Sequence, residues 1–154
     1  MELKDLKKSY EILSKKYKLP SFKELNEDFD IEKIDKESEI LLKVVRKVMM
    51  EKIVNALGFL EMLLNPTNAP RMYIPFLSSM TVEDKKEIDE MYDVLAKLSL
   101  SAILLETNYE EKKEASAINN IYQSWQKLKN KLESIVKKIE HPSMQQKREK
   151  NYFG

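Results

Sequence analysis

Residues 36–64, KESEILLKVVRKVMMEKIVNALGFLEMLL, decide the fold. This is the longest apolar-rich run of the chain without a proline. Wound at about 100° per residue, Lys43, Arg46, Lys47, Glu51, Asn55, Gly58 and Glu61 fall on one narrow polar stripe. Leu41, Val45, Val48, Met49, Ile53, Ala56, Phe59, Leu60 and Leu63 cover most of the rest. A helix apolar over more than half its circumference needs several neighbours to cover it, so this one is expected to be the central post of a helical bundle. At full extent it would run for about 43 Å. Lys52 lies opposite the polar stripe, where the face of Trp125, or Tyr92 or Tyr122, would accommodate its ammonium.

Upstream, Leu3, Leu6, Tyr10, Leu13 and Tyr17 form one narrow seam on a basic helix that stops at Leu19 and Pro20. Ser21 with Glu24 is a capping-box pattern, opening a short connector helix with Phe22, Leu25 and Phe29 on its apolar side. Downstream, Asn65 and Pro66 end the central helix. Residues 66–80 hold three prolines yet are apolar for a connection, and are expected to fold over the end of the bundle as a lid. Arg71, Tyr73 and Phe76 within them are candidate partner-binding residues. Thr81 with Asp84 caps a helix over 82–107 whose outer face reads as acidic, and Asn108 with Glu111 is expected to cap the last, over 109–140. The last helix has the clearest period, with Ile118, Ile121, Trp125, Leu128, Leu132, Ile135 and Ile139 alternating at three and four residues. Such a seam would serve the bundle or a homodimer. The first and last helices are basic and the one before the last acidic.

Composition narrows the chemistry. The 154 residues suit one domain, and 27 basic against 26 acidic residues give a net charge of +1, which favours no particular partner. Only Arg46, Arg71 and Arg148 are arginines, which argues against sequence-specific DNA reading, where the guanidinium fork is preferred. Without cysteine there is no thiolate nucleophile or cysteine metal site, and the lone His141 gives no histidine-based one. Two glycines are too few for a phosphate-cradling loop. The N-terminus, MELKDLKKSYEI, is charged throughout and does not read as a secretory signal, and no run of 18 apolar residues would cross a membrane. A cytoplasmic setting is the expectation.

Two patterns point toward chemistry. Glu24 with Glu27, and Glu90 with Asp93, each place two carboxylates on one helical face, a set that could hold Mg²⁺. In this they resemble the all-helical nucleotide pyrophosphatases of the MazG kind, and that resemblance implies a magnesium-dependent nucleotide hydrolase as the alternative function. The other pattern is the end of the chain, where Lys147, Arg148 and Lys150 precede Tyr152 and Phe153, resembling a tethered docking peptide. The connector KYKLPSFKEL at 16–25 and the terminal Tyr152, Phe153 and Gly154 together resemble an uncharacterised family of small all-helical archaeal proteins. That resemblance implies a helical fold and no activity.

The sequence thus predicts an all-α chain, an up-and-down helical bundle of four main helices with one short connector helix. Residues 1–141 form its single domain and 142–154 a C-terminal tail. The function expected is a non-enzymatic interaction or scaffold module without cofactor or metal. It would dock a protein partner through the tail or the 66–80 loop. RNA or the ribosome is the other class of partner that the basic helices would suit.

Overall fold

The computed structural model describes residues 2–141, and these are all-helical, with no strand among them. Helix α1 (Leu3–Tyr17) buries Leu6 and Tyr10, and the Tyr10 hydroxyl donates to the Pro20 carbonyl at 2.7 Å. Lys18 ends it in the left-handed region at φ 54°, its N–H returning to the Ser14 carbonyl. Helix α2 (Phe22–Phe29) opens with the expected capping box. Ser21 Oγ accepts from the Glu24 N–H at 3.2 Å, and Glu24 Oε2 accepts from the Ser21 N–H at 2.7 Å. Phe22, Leu25 and Phe29 are all buried.

The central helix, α3 (Leu41–Leu64), starts five residues later than residue 36. The cause is local. Residues 36–39, KESE, have no apolar side to bury, and the Ser38 hydroxyl accepts the Ile40 N–H at 3.1 Å, a turn that competes with helix. Instead the chain reaches α3 through a 3-10 turn, Ile31–Lys33, with Ile31 and Ile34 buried.

Beyond α3, a second 3-10 turn (Arg71–Tyr73) and the short α4 (Ile74–Ser79) occupy the apolar connection. Phe76 is fully buried, and Tyr73 meets Phe59 of α3 at 6.2 Å between ring centroids. The lid reading holds for these two side chains, while Met72 and Ile74 are 67% and 52% exposed.

Two long helices complete the core, α5 (Val82–Leu105) and α6 (Glu111–Glu140). Asn108 is not the cap of α6: the helix starts from Glu110, which makes no side-chain cap bond, so Asn108 stands two residues too early. In the α6 seam Ile118, Ile121, Trp125, Leu128, Ile135 and Ile139 are buried, but Leu132 is only half-buried.

Ion pairs give the directions. Arg46 near the start of α3 reaches Glu106 past the end of α5 and Glu114 at the start of α6. At the opposite end, Lys138 of α6 donates to Asp84 of α5 at 2.7 Å. Hence α5 runs antiparallel to both α3 and α6. The α1–α2 arm lies over α3 and α6. Tyr17 donates to Glu111 at 2.6 Å, and Phe29 meets Trp125 at 6.0 Å between centroids. The Lys52 ammonium sits 5.2 Å from the Trp125 ring centre and 5.9 Å from that of Phe29, and donates to the Asp28 carbonyl, so of the expected partners the Trp125 face receives it.

Asp84 ties the lower end together. It accepts the Thr81 N–H at 3.1 Å within the capping box, and the Lys138 ammonium. Burial pushes its carboxyl up, but Lys138 and the two Thr81 bonds outweigh this and hold it below the usual carboxylate range. A depressed folded-state pKa gives stability that is present above the unfolded value and lost as pH falls through the folded one. Asp84→Asn is therefore expected to cost about 1–3 kcal/mol at pH 7. In urea titrations that gap should close as pH drops below about 4. A gap unchanged between pH 7 and pH 3 would show that the charge of Asp84 contributes nothing.

Candidate functional site

The polar stripe of α3 holds the feature least expected of it. Arg46 is 2% exposed and Glu114 is 0% exposed. Arg46 Nε donates to Glu114 Oε2 at 2.7 Å, and Nη2 donates to Glu114 Oε1 at 3.1 Å and to Glu106 Oε1 at 2.9 Å. Burial alone would lower the guanidinium pKa, but the two carboxylates outweigh it, so the group stays charged. Glu106 also draws Lys43 to 3.5 Å and Lys47 to 3.6 Å, and Arg46 first among these cations holds its carboxyl below the usual range. The cluster staples the start of α3 to the α5–α6 turn. Beside it Tyr109 has a buried hydroxyl without a hydrogen-bond partner among the described residues.

Though buried, Arg46 also borders a hollow. Its Nη1 has no hydrogen bond among the described residues, and the residue lines the end of a groove between α5 and α6. The upper part of that groove is a cavity of about 380 Å³, walled by Leu98, Leu104 and Leu105 from α5 and by Ala117 and Ile121 from α6. A second hollow of about 280 Å³ continues it downward between Val94 and Ser124, sharing Leu98 and Asn120 as walls. Small residues, Ser101, Ala102, Ser116 and Ala117, keep it open.

One wall residue of the groove, Leu104, belongs to an exposed apolar patch on the second half of α5. Residues 98–105, LSLSAILL, carry no charge. Eight residues go round a helix more than twice, so they cannot all face the core. Leu100, Ile103 and Leu104 are 64%, 61% and 71% exposed, and their spacing makes them one contiguous patch, of which Leu104 alone lines the groove. The outer face of α5 is thus acidic only in its first half, through Glu83, Asp89, Glu90 and Asp93, and apolar in its second.

The residues singled out by sequence are dispersed. Arg71 is exposed, Tyr73 is half-buried against Phe59, and Phe76 is a core residue that offers no surface to a partner. All three stand at the end of the bundle away from Arg46. Lys147, Arg148, Lys150, Tyr152 and Phe153 lie outside the described residues. Of the paired carboxylates, Glu24 is engaged in the Ser21 cap and Glu27 meets Lys23 at 4.0 Å. No group of three or more carboxylate or histidine side chains that could hold a metal ion occurs among the described residues, nor is any of their helices long and apolar enough to cross a membrane.

Comparison with protein families, with curated proteins and with solved structures finds no match to this chain.

Proposed function

We propose that this protein is a non-enzymatic interaction module that receives one helix of a partner protein in the α5–α6 groove. The observation that carries the reading is the open, small-residue groove whose wall residue Leu104, within the uncharged LSLSAILL run, is 71% exposed. Apolar area of this kind on a helix flank is what a helix-in-groove partner covers. The opposite flank of α6 offers the precedent within the fold, since there the α1–α2 arm lies against α3 and α6 and Phe29 meets Trp125. In the same reading α1, α3, α5 and α6 are the four main helices of an up-and-down bundle, with α2 as the connector.

The groove's length sets the probe. Between Lys113 and Lys127, two residues of its α6 wall, α6 rises about 21 Å, which a helix of roughly 14 residues spans. A synthetic helical peptide of that length, with leucines every three to four residues, should bind and change fluorescence anisotropy. Leu104→Asp should abolish binding while leaving the melting temperature within a few degrees of the parent, because Leu104 is 71% exposed. A large fall in melting temperature would make Leu104 a core residue. Binding unaffected by the substitution would place the peptide elsewhere.

A further inference from the structure

The charged side chains that line the groove are all cations, with Glu106 pairing Arg46 and Glu110 pairing Lys113 just outside the lining. Arg46 and Lys113 line its upper part, Lys97 and Lys127 its lower part, and no carboxylate lines either. In a chain almost balanced in charge, such a stretch is a local concentration. Lys97 and Lys127 make no ion pair among the described residues, and Lys113 makes only a surface pair with Glu110 at 3.0 Å. Arg46 is buried and already paired through Nε and Nη2 with two carboxylates, so the three lysines are the lining cations open to a partner. Below Val94 the α5 face turns acidic at Asp93 and Glu90, which bound the basic stretch on that side.

Resting on the groove reading above, we infer that the partner helix is acidic. Its apolar stripe seats on Leu98, Leu104 and Ile121, and its flanking carboxylates lie against Lys97, Lys113 and Lys127. The apolar walls supply contact area, and the rim cations select the sign of the partner and speed its approach.

The experiment compares three leucine-striped helical peptides of equal length, flanked by glutamate, by glutamine or by lysine, by anisotropy at low and high salt. The glutamate peptide should bind on the order of tenfold more tightly than the glutamine one, because several exposed pairs each add a small factor. That advantage should shrink as salt screens the rim. The double variant Lys97→Glu/Lys127→Glu, both exposed positions, should reverse the order and favour the lysine peptide. Equal binding of all three overturns the acidic assignment and leaves the groove reading standing. Binding of none overturns both. Poly(U) displacing the glutamate peptide would reassign the cations to nucleic acid, and a dimer that Leu104→Asp disperses would show that a second copy covers the groove. Either result overturns the inference.

Discussion

Replacing Glu114 with alanine should destabilise the protein by about 3–5 kcal/mol at neutral pH, measured by urea unfolding. The substitution removes both acceptors that Glu114 offers Arg46 and leaves a buried guanidinium with Glu106 alone, whose side chain is 42% exposed. The charge cannot be relieved by deprotonation, because an arginine stays protonated at any pH the fold survives. The cost is that of a stranded ion rather than of a lost attraction. The double variant Arg46→Met/Glu114→Leu should therefore recover most of the loss, since two apolar groups of similar volume leave nothing to solvate. If Glu114→Ala unfolds within about 1 kcal/mol of the parent, water reaches Arg46 and the cluster is no staple. Failure of the double variant to recover would mean that the pair sets the geometry of the α5–α6 turn as well as its energy.

Phe76→Ala should cost about 3–5 kcal/mol, the usual loss for a fully buried ring that the surroundings cannot collapse to fill. The result discriminates between two roles for residues 66–80. If α4 closes the end of the bundle, Phe76 is its anchor, and Met72→Ser and Ile74→Ser, at exposed neighbours, should change stability by no more than about 0.5 kcal/mol. Were Phe76→Ala nearly neutral in thermal and urea unfolding, the segment would be detachable from the bundle and its apolar side chains free for a partner.

Much of the fold was legible because helix periodicity and capping are local. The Ser21–Glu24 and Thr81–Asp84 boxes form as their spacing predicts, and the α6 seam is buried in register apart from Leu132. Lys52 finds the Trp125 face because both positions follow from period and antiparallel order. The start of α3 was misplaced because amphipathicity is blind to a hydroxyl that bonds back to the chain two residues on, as Ser38 does.

The candidate site was far less legible. Periodicity assigns Arg46 to a solvent-facing stripe, and only the tertiary approach of Glu106 and Glu114, 60 and 68 residues away, makes that stripe an interior. One signal was present. A lone arginine on a helix whose other cations are lysines fits a buried, forked pairing. The exposed patch is missed by an outer face read as acidic along the whole helix, although eight uncharged residues on a helix must turn some outward. For Phe76 the apolar composition of 66–80 predicts a lid over the bundle's end, which its burial matches, while its second reading as a partner-binding residue finds no exposed surface. The composition does not say which of its apolar side chains turn inward, and α4 buries Phe76 while Met72 and Ile74 stay exposed.

The central claim is that the α5–α6 groove is the working surface. Backbone amide mapping of the glutamate-flanked peptide on the full chain, by NMR shift perturbation or hydrogen exchange, tests it most directly. The account predicts changes confined to residues 94–108 of α5 and its following turn and to residues 113–127 of α6. Changes centred on residues 66–80 or on α1, with α5 and α6 unmoved, would contradict it.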